Sequence, residues 1–180
     1  PFVAYIQPTV EVVKNRSEQY EAHLDFPVNK SVILTDFMNN HTELVNIHSM
    51  FDKIQNDKNL TIKGIGIEGF ASPEGPLAFN EQLSKKRAEA LKDYLVKNEK
   101  ASAKLYKVTF GGENWDGLVK ALKSSSMKDK ETFLNIIKNT TDDAKRKQEI
   151  MRVGGGAPYR SMLKEIYPGL RKVNCKIDYT

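Results

Sequence analysis

The stretch that most constrains this chain is GFASPEGPLAFNEQLSKKRAEALKDYL, residues 69–95. A strand-like end runs through a Pro/Gly turn into a helix, and that helix carries an arginine on its apolar side. At about 100° per residue, Leu83, Ala88, Leu91, Tyr94 and Leu95 fall within one arc of about 140°, wide enough to face a core. Gln82, Lys85, Lys86, Glu89, Lys92 and Asp93 lie outside the arc, whereas Asn80, Ser84 and Arg87 lie inside it. A guanidinium directed at a core or a cleft stays charged and needs acceptors around its planar fork. Either the protein supplies those acceptors or a ligand does.

At 180 residues the chain suits one domain with room for an appendage and can bury a substantial core. No run of 18 apolar residues is present, so no helix is expected to span a bilayer. The net charge of +5 is interspersed with 23 acidic residues, and lysine groups such as Lys145 and Lys147 sit beside carboxylates. That pattern describes solvated helix faces and implies no nucleic acid partner. Cys175 is the single cysteine, which excludes an internal disulfide and leaves the compartment open. The sequence opens at Pro1 with neither an initiating methionine nor a leader-like segment, which reads as a processed chain or an excised domain.

Along the chain, residues 9–26 suggest a hairpin whose second strand alternates Tyr20, Ala22, Leu24 and Phe26 with Glu21, His23 and Asp25. From Asn40 to about Asn56, apolar residues recur at three- and four-residue spacing and predict an amphipathic helix. LTIKGIGIEGF reads as a buried strand, the helix of the opening stretch should fray near Asn98, and KLYKVTFGG is the next strand. Residues 115–167 are largely helical, with breaks at 124–126 and 154–156, and RKVNCKIDY closes the sequence as an alternating strand. This order predicts an α+β sandwich in which helices cover one face of a mixed sheet.

Two literal motif matches fail on context. Gly64, Gly66 and Gly69 satisfy G-x-G-x-x-G, but they lie within a strand, whereas a dinucleotide fingerprint needs them in the turn that opens a helix. They read instead as positions of close packing or a bulge. Ser72 lacks the flanking glycines of a nucleophile elbow, and no base is paired with it at recognisable spacing, so no enzyme activity is expected. His23, His41 and His48 have no cysteine or dense carboxylate set to complete a metal site, and no cofactor is implied.

The residues do carry a resemblance. Gly69, Phe70, Gly75, Asn80, Leu83, Ser84, Arg87, Ala88, Tyr94 and Leu95 reproduce a G-aromatic strand end, a glycine turn, N-x-x-L-S-x-x-R-A and a terminal Y-L. This pattern resembles the central motif of the OmpA-like carboxy-terminal domain, the peptidoglycan-associated module of bacterial outer-membrane proteins and lipoproteins. LDFPVNKSVI and LRKVNCKI are similar to the family's first strand and its final strand. The resemblance spans about residues 20–115 and the last ten, so residues 1–20 read as an amino-terminal strand or linker. Residues 21–180 then form the OmpA-like domain, with a helical insertion at about 115–168. The SPEG turn looks like a branch found in envelope and fimbria-associated proteins.

The resemblance implies a non-catalytic module of the periplasm, associated with the outer membrane through other regions of its parent, that tethers it to the cell wall. In typical members an aspartate after the central strand and the arginine of R-A grip the zwitterionic end of diaminopimelate in the stem peptide. Arg87 holds the arginine position. Ser72 stands at the aspartate position, where a hydroxyl grips an ammonium more weakly by roughly 1 to 2 kcal/mol. Glu74, two residues on, is placed to compensate, and Asn80 completes the candidate binding set. Three of these have a structural alternative, Arg87 as an internal strut, Asn80 as a turn anchor and Glu74 as a partner of the helix N-terminus, and Ser84 reads as a packing residue. A second functional reading is an interaction scaffold of a fimbrial or other envelope assembly that has lost wall binding.

Overall fold

The computed structural model describes residues 16–180. The first strand expected at residues 9–14 lies outside them. Four strands, β1 (Glu18–Asp25), β2 (Ile62–Ala71), β3 (Tyr106–Glu113) and β4 (Lys172–Tyr179), form one mixed sheet in the order β1-β4-β2-β3. β4 is antiparallel to both β1 and β2, while β2 and β3 run parallel.

Parallel neighbours need a crossover, and α2 (Leu77–Asn98) provides it. With α1 (Asn40–Asn56), it covers one face of the sheet. Both helices bury the residues that their spacing selects: Leu44, Ile47, Phe51 and Ile54 from α1, and Leu83, Ala88, Leu91 and Leu95 from α2. The strands answer by alternation, with Ala22 and Leu24 on β1, Ile65 and Ile67 on β2, and Val173, Cys175 and Ile177 on β4 all buried. Burial pushes the Cys175 thiol up to about 12, which leaves it a packing group.

Among the three strand glycines, only Gly69 is demanded by packing. A Cβ there would lie 2.1 Å from the Ser84 carbonyl oxygen and 2.8 Å from the Ala88 nitrogen, so its absence lets α2 rest directly on β2. At Gly64 and Gly66 the nearest atoms would be 4.0 and 3.9 Å away, ordinary contact distances.

The segment between β3 and β4, where an insertion was expected, packs into a second, sheetless core. It holds α3 (Trp115–Ser124), α4 (Lys130–Asn139), α5 (Asp143–Arg152) and α6 (Ala157–Glu165), followed by a 3-10 turn at Tyr167–Leu170. Leu118, Leu122, Phe133, Ile150, Met162 and Tyr167 are buried together within it. Its breaks have local causes. Three consecutive positive-φ glycines, Gly154, Gly155 and Gly156, turn the chain between α5 and α6. A further break at 140–142, not foreseen from the sequence, separates α4 from α5. Asp142 caps α5 by accepting from the Lys145 amide at 3.0 Å, and the Arg146 guanidinium donates to the Ile137 and Thr140 carbonyls at the end of α4.

Candidate functional site

The four residues singled out in the sequence gather where β2 ends, the 72–76 turn reverses the chain and α2 begins, but they do not share one open pocket. Gly75 sits at φ +80°, a conformation that side chains resist, and this lets the turn feed α2 at Leu77.

Arg87 is fully buried. Its Nε donates to the Lys30 carbonyl at 2.8 Å, one terminal nitrogen to the Phe70 carbonyl at 2.8 Å, and the other to the Pro27 carbonyl at 3.1 Å. The guanidinium also lies 5.2 Å from the Phe26 ring centroid. The protein therefore supplies the acceptors that the inward arginine required, and it does so by stitching the loop after β1 to the end of β2. Burial, with the nearby charge of Arg171, pulls its pKa down to about 10, while Glu74 opposes the shift; the group stays charged at neutral pH.

Ser72 and Glu74 form a different cluster. The Ser72 hydroxyl donates to Glu74 Oε1 at 3.0 Å, and the carboxylate expected to compensate at the turn thus reaches Ser72 itself. Glu74 makes no capping hydrogen bond to the start of α2. It pairs with Arg171, whose terminal nitrogen donates to Glu74 Oε1 at 2.7 Å and whose Nε donates to Ser72 Oγ at 3.2 Å. The Glu74 side chain keeps 27% exposure against 9% for Arg171, so this pair stands at the rim where Arg87 does not.

Asn80 anchors the turn, as one of its alternatives held: its amide donates to the Glu74 carbonyl at 2.8 Å. It also donates to Glu113 Oε2 at 2.7 Å. Ser84 does more than fill space, since its hydroxyl donates to the Glu81 carbonyl and accepts the Gly112 amide at 3.1 Å. Glu113, at the end of β3, is held by Asn80, by the Trp115 indole at 3.3 Å and by the Lys147 ammonium. Lys147, on α5, also donates to Asp143 and, at 2.7 Å, to the Gly75 carbonyl. Burial pushes the Glu113 carboxyl up and Asp143 adds to this, while Lys147 and Asn80 pull it back.

Sequence reasoning missed Arg171, Glu113 and Asp143, and it placed Lys147 on a solvated helix face, whereas the structure buries it among three oxygen acceptors. Lys147 obeys the rule that exposed Arg87, because it lies three residues before Ile150, the buried apolar residue of α5. Arg171 directly precedes an alternating strand, but its partners are 97 and 99 residues away in sequence and leave no local trace.

Among the described residues no group of His, Cys, Asp and Glu is arranged to hold a metal ion, and no helix is long and apolar enough to cross a membrane. The model of the OmpA family matches residues 26–130, more than half of the chain. The chain belongs to the OmpA family. Ser72, Glu74, Asn80, Arg87 and Glu113 lie inside the matched stretch, whereas Asp143, Lys147 and Arg171 lie beyond it.

The fold is similar to the OmpA-like domain of FopA1 from Francisella tularensis subsp. tularensis SCHU S4, at 12% identity and a TM-score of 0.48, covering 93% of this chain and 77% of that one. It is also similar to the peptidoglycan-associated lipoprotein from Burkholderia pseudomallei, at 11% identity and a TM-score of 0.47, covering 87% of this chain and 89% of that one. No curated protein sequence matches the chain.

Proposed function

We propose that this OmpA-family domain is a non-catalytic module of the bacterial cell envelope, periplasmic and associated with the outer membrane, that holds peptidoglycan by the zwitterionic end of stem-peptide diaminopimelate. The observation that carries the reading is the Ser72–Glu74–Arg171 cluster. A carboxylate and a guanidinium stand side by side at the turn, and a zwitterion offers each its opposite charge. In this arrangement Glu74 takes the ligand ammonium, Arg171 takes the carboxylate, and Ser72 orients both. Arg87 acts from behind by fixing the carbonyls of Pro27, Lys30 and Phe70 that shape the loops.

Co-sedimentation with purified sacculi tests the proposal. The wild-type chain is expected in the pellet, and Glu74→Gln should lower retention about tenfold, the scale of one charge-assisted hydrogen bond. A wild-type chain that stays in the supernatant sinks it. A second reading, an interaction domain of an envelope or fimbrial assembly that no longer binds the wall, is favoured by one observation: the Arg87 fork is already engaged by backbone carbonyls. Retention unchanged by Glu74→Gln, with capture of an envelope protein partner by the same domain, is the outcome this reading expects.

A further inference from the structure

The polar cluster under the 72–76 turn holds a cation that comes from outside the part of the chain matched by the family. Lys147 projects from α5, a helix that packs on the glycine turn after it, on α4 and on α6. Its ammonium crosses to the turn and meets three oxygens at once: the Gly75 carbonyl, Glu113 Oε2 and Asp143 Oδ2. These acceptors come from three separate elements, the turn, the end of β3 and α5. Asn80 fixes the orientation of Glu113, and the Trp115 indole holds its other oxygen.

A Lys ammonium carries three N–H donors, so three acceptors match its full capacity. At 10% side-chain exposure it is withdrawn from water, and the Glu113 side chain is 2% exposed. A carboxylate that deep needs a cation, since an unpaired buried charge is strongly destabilising. The cation could be any primary ammonium that fits. In this molecule it is the chain's own.

We propose that Gly75, Glu113 and Asp143 form a primary-ammonium site beside the turn, that Lys147 is its internal ligand, and that this side chain locks α5 onto the end of β3 and the turn before α2. The consequence is a device for selectivity. An amine-bearing ligand arriving at the turn meets a neighbouring ammonium receptor that is already filled, and admitting an amine there requires α5 to withdraw Lys147. The selectivity claim rests on the reading of the turn as ligand-facing, whereas the ammonium site stands on its own geometry.

Replacing Lys147 with alanine removes the atoms of n-propylammonium, which makes that ion the probe. Thermal unfolding of Lys147→Ala, followed by circular dichroism, should shift upward by several degrees in n-propylammonium chloride relative to sodium chloride at equal ionic strength. Wild type and Lys147→Met, whose thioether side chain occupies the space of the lysine stem without a charge, should show no such difference. If Lys147→Ala is unfolded in plain buffer, recovery of its helical signal with n-propylammonium and not with sodium is the same expected result. An equal response to the two salts, or an equal shift in all three proteins, overturns the site.

A second arm titrates a diaminopimelate-containing peptide into wild type and Lys147→Ala. Tighter binding by the variant, by tenfold or more, is expected because the vacated Glu113–Asp143 site offers the ligand ammonium a deeper position than Glu74, and equal affinity overturns the lock. Binding by neither protein, alongside successful rescue by n-propylammonium, would defeat the wall-binding proposal and leave the ammonium site standing.

Discussion

The two hydrophobic cores of this domain are built on different terms. The sheet core joins residues far apart in sequence, from Ala22 to Ile177, and its helices and strands are tied by long ladders and by Arg87. The insertion core spans Leu118 to Leu170, uses short helices of nine or ten residues, and has no strand. Helices of that length do not stand alone in water and depend on their mutual packing. The helical core is tied back by Lys147 to the turn and by the backbone amide of Asn114 to the Ala71 carbonyl at 2.9 Å. Each core is bounded by one buried cation, Arg87 gathering three carbonyls and Lys147 two carboxylates and a carbonyl.

The strongest challenge to this contrast is Arg87→Ala. It strands three carbonyls, opens a cavity and frees the loop after β1, so denaturant unfolding should show a loss of about 4 kcal/mol or more. Arg87→Lys should recover little, because one ammonium cannot span acceptors held by a planar fork. A loss below about 1 kcal/mol would show that the strut is dispensable.

Next in size, Phe133→Ala in the insertion should cost about 3 kcal/mol. The location of that loss sharpens the comparison. Hydrogen exchange is expected to rise throughout α3 to α6 while β2 and β4 stay protected, since stability is lost by local cooperative units. Leu91→Ala, in the sheet core, should instead raise exchange across the whole domain. A uniform response to both substitutions would mean that the two cores unfold as one.

The smallest expected effect lies at the junction of α1 and the end of α2. The His48 Nδ1 faces Glu99 Oε1 at 2.8 Å, and its Nε2 lies 3.2 Å from Asp52. The hydrogen bond to Glu99, then the charges of Glu99 and Asp52, raise the pKa of His48 above 6.5. A raised histidine stabilises the fold fully below its unfolded value and loses that contribution as pH climbs through the folded value. Stability should therefore fall slightly between about pH 6 and 8, and His48→Asn should flatten the slope. Equal slopes in both proteins would remove the pair from the account.

Much of the fold was legible because periodicity decides it locally. Leu44, Ile47, Phe51 and Ile54 recur at helical spacing, and α1 runs over the expected Asn40–Asn56. The alternation of Val173, Cys175 and Ile177 marked β4 in the same way. What the pattern could not carry was partnership. Arg87 was recognisably inward, but the carbonyls of Pro27, Lys30 and Phe70 have no side-chain signature, and every residue owns a carbonyl. Asn40 illustrates the same limit: it is completely buried and exchanges hydrogen bonds with the Asp25 backbone, yet in sequence it resembles any polar residue at a helix start. The position of β4 between β1 and β2 is equally non-local, because no residue in it states which edges it joins.

That position has a consequence for how the domain comes into being. β4 follows every other described element in chain order, yet both of its edges are bonded within the sheet. Until those eight residues arrive, β1 has no neighbour and β2 presents an open flank. A ribosome delivering the chain from its amino end therefore releases an incomplete sheet, and such long-range closure is slow. Maturation of the sheet waits on β4, the strand that joins β1 to β2.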